Sequence, residues 1–505
     1  MNPDDGPVVH SHHVQLHGHS DDVRAVAFGA GDRVIVSASQ DRTVRVWRFE
    51  APAAIALPPM LPPALPRPAS RGGSRPSSRG SVGLGLGRAG SGAPLARAGK
   101  GLLAAAVARG GAGAMGALRP PPTPQSCLFT FRGGKGDPNP HTGPVTCLHC
   151  VGDLIVSGSW DATVRVWNAT TGRWLRTFTG HSGPVLSLVG QEGGGLLLLS
   201  SSADGSVRLW DLAEAAAESL VTGGGLTKLP AGEGGARKKA PAVEDIIAGR
   251  GDAAAGAAFV RKFCGHHHWV RCVRAWQLGA APEQERIVTG SDDGTLCIWS
   301  QEPRALNASG VPSPLHVLRG HGGAVVSVEL AGSGAGAMIA SGARDGSVRV
   351  WDLASGDVVH SFFGHSGAVL CVAMADTLDL ASHEGESQRQ RKAAATERRG
   401  ILVSASADQT LRVWSLKDGC CEMTLRAHVG AVNDVKTAKL GPATVLVSGG
   451  DDGVLYVWSA KTGRMLQTMR GHRGKVTCIR ISHDNHVVSG ATDKSVRVWA
   501  INASG

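Results

Sequence analysis

Eight times along the 505-residue chain a histidine, a hydroxyl residue, an aspartate and a tryptophan recur in the same order. The histidines are His19, His141, His181, His266, His321, His365, His428 and His472, and six of them follow a glycine. The aspartates are Asp41, Asp161, Asp204, Asp293, Asp345, Asp408, Asp452 and Asp493. Six residues after each stands Trp47, Trp167, Trp210, Trp299, Trp351, Trp414, Trp458 or Trp499, and that spacing never varies. Four residues before each aspartate is a hydroxyl: Ser37, Ser157, Ser200, Thr289, Ser341, Ser404, Ser448 or Ser489. Two residues before it the hydroxyl lapses, at Ala343, Gly450 and Ala491. A nucleophile, a base and an orienting carboxylate are the ingredients of hydrolysis. A reaction centre is needed once, whereas a device present in every repeat serves the architecture. The expectation is therefore no enzyme and no cofactor. Trp Nε1–H only donates, Asp only accepts, and Ser and His bridge, so a buried chain of the four satisfies its own polar groups.

The remaining reactive residues suggest little chemistry. Cys264, His266, His267, His268 and Cys272 have the composition of a zinc cluster, but His266 already belongs to a repeat and Cys272 is expected on a strand, so no metal is expected. Cys147 and Cys150 also fall in an expected strand, where residues three apart face opposite sides. Ten cysteines over this length are too dilute for a disulfide scaffold, so reduced thiols are expected. The opening MNPDDGPVVHSHH lacks a secretory pattern, and no stretch approaches the ~18 apolar residues of a membrane span. These features predict a soluble protein of the cytoplasm or nucleus.

Between the repeated polar residues lie short alternating apolar runs such as VRVW and LIVSGS, bounded by Asp-Gly and similar turns, which is a strand and hairpin pattern. With three inserted stretches set aside, each repeat has about 45 residues, the length of a four-stranded propeller blade. On these landmarks the chain resembles the WD-repeat β-propellers. The resemblance implies an all-β, eight-bladed propeller over residues 14–505, in which Val14 to Leu16 completes the blade ending at Trp499. It also implies that each His, Ser or Thr, Asp and Trp set is a hydrogen-bonded tetrad tying the d–a loop to strands b and c.

The formal charge of +11 is concentrated: residues 51–125 hold eight arginines, Lys100 and no acid, so they carry +9 of it. This Pro, Gly, Ser and Ala mixture is expected to be a disordered basic insertion. Residues 213–258 read as an Ala/Gly-rich insertion and 376–399 as a charged insertion that could form a short solvated helix. The first two fall in c–d connections and the third in an a–b connection, so all three leave from one face. In the basic stretch, Arg67 and Ser70, Arg71 and Ser74, and Arg75 and Ser78 repeat a spacing suited to basophilic kinases.

The opposite face keeps short loops throughout. The resemblance implies that residues beside the first valine of strand a, and the residue before each tetrad Asp, line it. Those positions include Arg24, Trp160, Trp269, Arg271, Asp292, Arg344, Asn433, Asp451 and Lys475, and Arg and Trp are frequent interface anchors. The expected function is a non-catalytic scaffold whose compact face takes a protein partner, such as an acidic or phosphorylated segment. The chain is also similar to substrate receptors of cullin-type ubiquitin ligases, including the F-box type. It departs from them in having no F-box helices and no Trp-Asp-x-Arg. RNA association through the basic stretch is a further alternative, although no aromatics are interleaved there to stack bases.

Overall fold

The computed structural model describes residues 13–49, 127–131, 140–190, 196–222, 259–277, 285–301, 312–332, 336–376, 400–441 and 443–501. The described residues form eight four-stranded antiparallel sheets. Blade 1 consists of Val23–Gly29, Val34–Ser39, Val44–Arg48 and Cys127–Phe131, as strands a to d. The a strands of blades 2 to 8 are Val145–Val151, Val185–Gly190, Val270–Gln277, Val325–Ala331, Val369–Asp376, Val432–Leu440 and Val476–Ile481. Each a strand packs against the a strands of the two adjacent blades, and blade 8 meets blade 1, so these strands form a closed inner ring. Closure joins distant parts of the chain. The strand His13–Leu16 pairs with strand c of blade 8, from His13 opposite Trp499 to Leu16 opposite Val496.

The core is divided among the gaps between blades. In each gap the tetrad tryptophan of one blade packs on an apolar residue of the preceding strand d. Phe131 lies under Trp167, Phe178 under Trp210 and Phe263 under Trp299. Leu318, Phe362, Leu425, Met469 and Leu16 do the same for Trp351, Trp414, Trp458, Trp499 and Trp47. Two of these contacts are near-parallel stacks, Phe131 on Trp167 at 4.4 Å and Phe178 on Trp210 at 5.1 Å between ring centroids. No blade can bury its apolar faces alone, so the ring folds as a mutual arrangement.

Two local features were not anticipated. The stretch 213–258 does not begin as an irregular insertion: Ala213–Thr222 form helix α1. Its Ala-Glu-Ala-Ala-Ala-Glu sequence favours a helix, and Asp211 Oδ1 accepts the Ala213 N–H at 2.7 Å ahead of its first turn. Ala215 is buried in the core shared by blades 2 and 3. Glu218 pairs with Arg176 on strand d of blade 2 at 2.9 Å, and Asn168 donates to the Ser219 hydroxyl. Secondly, every a strand carries a β-bulge one residue after its first valine. The expected disorder of 51–125 and the charged insertion of 377–399, with the short helix it could form, lie outside the described residues, while Asp376 itself ends strand a of blade 6, opposite Gly400.

Candidate functional site

The quartets have one wiring plan. In blade 2 the Trp167 Nε1–H donates to Ser157 Oγ at 3.0 Å, and Ser157 Oγ–H donates to His141 Nε2 at 2.8 Å. The His141 Nδ1–H then donates to Asp161 Oδ2 at 2.9 Å. The directions follow from the donor inventory: indole starts the chain and carboxylate ends it. His19, Ser37, Asp41 and Trp47 form the same chain, as do His181, Ser200, Asp204 and Trp210, and His472, Ser489, Asp493 and Trp499. The tryptophans are all buried.

Asp161 collects more than the imidazole. It also accepts the backbone N–H groups of Thr142 and Thr163 and the Thr163 hydroxyl, the last at 2.6 Å. The corresponding hydroxyls are Thr43, Ser206, Thr295, Ser347, Thr410 and Ser495. This fifth member, two residues after the aspartate, was missed from the sequence, although the recurring Asp-x-Ser/Thr spacing carries it. Blade 7 has Val454 there, and its His428 shares Nδ1–H between both Asp452 oxygens at 3.1 Å. Blade 5 differs more. His321 Nδ1 meets the Ser347 hydroxyl at 2.7 Å, and Asp345 Oδ1 has withdrawn to 3.8 Å.

Burial pushes the Asp161 carboxyl up, but the hydrogen bond and charge of His141, with the Thr163 hydroxyl and Thr142 N–H, hold it well below the usual carboxylate range. Burial lowers His141, outweighing its bond to Asp161. His321, with a weaker hold on its aspartate, is lowered by burial to about 4. In the quartets of His19, His141, His181, His321, His365 and His472, burial thus disfavours the imidazolium while the partner carboxylates are held below their usual range. Among the described residues no group of three or more His, Cys, Asp or Glu is placed to hold a metal. All ten cysteines are free thiols, and burial raises Cys147, Cys150 and Cys297 to about 12.

The quartets shape the face above them. The residue before each aspartate sits on the b–c turn and is clipped to the loop ahead of strand a. Trp160 N–H donates to the Pro144 carbonyl, Asp292 to Trp269, Arg344 to Ala324 and Asp451 to Ala431, all within 2.8–2.9 Å. The bulge residue of strand a is turned out at the same rim, and Arg24, Arg271 and Asn433 are bulge residues.

The structure sorts the nine candidate partner-binding residues into two kinds. Six are tied down within the face. Asp292 holds Arg271 with two contacts of 2.5 and 2.7 Å. Asp451 takes the Asn433 amide at 2.9 Å and Lys475 Nζ at 2.6 Å. Arg24 lies 3.5 Å from Asp22. The other three, Trp160, Trp269 and Arg344, face outward, with the tryptophans 56% and 40% exposed. Trp269 is braced from one side by the Arg271 guanidinium, 5.3 Å from its ring centre. Trp269 also lines a cleft of about 260 Å³ between blades 3 and 4, together with Ala203, Asp204, Gly205 and His266–His268.

Comparison with known proteins agrees with this architecture. The WD domain, G-beta repeat family matches eight segments: 10–48, 125–168, 172–211, 257–300, 312–352, 356–415, 419–459 and 463–500. Nuclear distribution protein PAC1 of Arthroderma otae is 28% identical over 287 residues, covering 56% of this chain and 51% of that protein. An uncharacterized WD repeat-containing protein of Schizosaccharomyces pombe is 27% identical over 304 residues, covering 55% of this chain and 68% of its own length. The chain thus spans about half the length of the first of these curated relatives. In structure it is similar to Saccharomyces cerevisiae Sqt1, with a TM-score of 0.62 at 11% identity, covering 98% of this chain and 99% of that one. The computationally designed Ika8 protein has a TM-score of 0.57 at 22% identity, covering 97% and 100%. No described helix is long and apolar enough to cross a membrane. With eight matched repeats, eight closed blades and buried quartets of architecture, the chain belongs to the WD-repeat family, whose propellers are non-catalytic protein-interaction scaffolds.

Proposed function

We propose that this propeller is an intracellular scaffold, cytoplasmic or nuclear, that seats a protein partner on its compact face through Trp160, Trp269 and Arg344. The observation that carries the reading is the exposure of two tryptophans on backbone-clipped turns, where ordering them for a partner costs little side-chain entropy. Arg344 adds a cation with no side-chain ion pair among the described residues, which favours an acidic or phosphorylated segment. The paired residues Arg24, Arg271, Asp292, Asn433, Asp451 and Lys475 supply a fixed rim around these anchors.

The test is affinity purification of the full chain and of a variant carrying Trp160→Ala, Trp269→Ala and Arg344→Ala. Since all three side chains project from the fold, melting should be unchanged while the partners recovered by the native chain are lost. Recovery of the same partners by the folded variant sinks the reading. Cullin components among the partners would move it to a ligase receptor, and nuclease-sensitive recovery to RNA association.

A further inference from the structure

We propose that the central channel of the ring binds a small phosphate-type polyanion in a belt formed by Arg274, Lys436 and Arg480. The belt arises from the inner ring of a strands. Counting from the first valine of each, the fifth position holds Ala27, His149, Val189, Arg274, Glu329, Ala373, Lys436 and Arg480 around the blades in order. Arg274 and Arg480 stand on the innermost strands, yet their side chains keep 31% and 45% of their surface accessible, so they face a channel open to water.

The charges do not cancel. Glu329 lies 3.6 Å from Arg274. Asp434, the second carboxylate, is already engaged: it accepts the Ile479 N–H at 2.8 Å and the Cys371 S–H at 3.2 Å, and lies 3.2 Å from Lys436 and 3.9 Å from Arg480. Among the described residues, three fixed cations against two carboxylates leave one positive charge on the wall. Burial lowers His149 to about 4, helped by the charges of Arg480 and Arg274, so it adds none. That one imidazole on blade 2 feels guanidinium groups from blades 8 and 4 puts all three in one electrostatic neighbourhood.

Donors remain over as well. Arg274 spends Nη1 on the Val273 carbonyl at 3.0 Å and Arg480 spends Nη1 on the Ile479 carbonyl at 2.8 Å. A guanidinium has five N–H donors, and those beyond these bonds and the ion pairs are left to solvent in the channel. Forked donors approaching from separate blades match a tetrahedral oxyanion better than a single carboxylate. Channel walls of low dielectric focus the field on whatever lies between them.

The test is calorimetric titration of the full chain with inorganic pyrophosphate, with ATP in a parallel series to separate free polyphosphate from the phosphate tail of a nucleotide. Arg274→Met with Arg480→Met should weaken binding at least about tenfold. Glu329→Gln, which removes opposing charge, should tighten it about fivefold. Arg426→Ala, an exposed residue on the outermost strand of blade 6, should leave it unchanged. The basic stretch 51–125 is present in every protein compared, so its own affinity for anions cancels from these differences. Unchanged binding in the folded double variant overturns the proposal. If that variant does not fold, weaker or equal binding by Glu329→Gln overturns it instead.

Discussion

At the scale of the residue, the tetrad is a chain of donors that ends on a carboxylate, and its worth depends on how many groups that carboxylate satisfies. In blade 2, Asp161 takes the imidazole, a hydroxyl and two backbone N–H groups. In blade 5, Ser347 stands between His321 and Asp345, and the aspartate is more open to water. Asp161→Ala should therefore cost more than Asp345→Ala. Each buried group left unpaired costs about 1–3 kcal/mol, and Asp161 strands more of them. Urea denaturation of the two variants measures the difference, and equal losses would contradict the wiring described. The recurring residue types and their spacing were legible in the sequence. The withdrawal of Asp345 was not: blade 5 has Ala343 where blades 4 and 6 have Ser291 and Ser406, but Ala491 in blade 8 leaves its aspartate in place, so that letter alone does not signal the shift.

At the scale of the element, the b–c turn repeats a backbone strain. The residue after each tetrad aspartate has positive φ in all eight blades; four are glycines and four are Arg42, Ala162, Gln409 and Lys494. The turn must be tight because it packs on the next blade's d–a loop. A Cβ on Gly453 would lie 2.9 Å from the carbonyl oxygens of His472 and Gly474. Ala162→Gly should thus raise stability by about 0.5–1 kcal/mol. Gly453→Ala should lower it by more, since it adds a clash to the strained φ. Thermal melting of both reads the signs, and a destabilised Ala162→Gly would remove strain from the account. Helix α1 shows the opposite kind of oversight. Its alanines read as low complexity when only composition was weighed, yet alanine is the strongest helix former and Ala215 finds a buried place beside blade 2. The β-bulge of strand a was illegible because alternating apolar runs do not record which residue is left unpaired.

At the scale of the whole molecule, the ring depends on one short strand brought from the other end of the chain. Leu16 on that strand is buried with Val23, Trp47 and Val498, spanning blades 8 and 1. Leu16→Ala should cost about 2–5 kcal/mol, as for a core leucine. It should do so although the residue precedes the first complete blade. A melt indistinguishable from the native chain would mean that closure contributes nothing to stability. The number of blades and their order were set by local repetition, since spacing and turn chemistry are short-range properties of the sequence, whereas the return of the first strand was implied by the family resemblance. Which charged residues stay available was decided by tertiary structure. In the sequence Arg271, Asp292, Asn433, Asp451 and Lys475 stand with Arg344 as equivalent rim positions, but Asp292 and Asp451 on the b–c turns pair with the bulge residues Arg271 and Asn433 and with Lys475 just ahead of strand a. Arg274, Lys436 and Arg480 lie far apart in sequence and share a channel because eight inner strands close on each other. Contacts that depend on the curvature of a closed ring are not written in any one of its repeats.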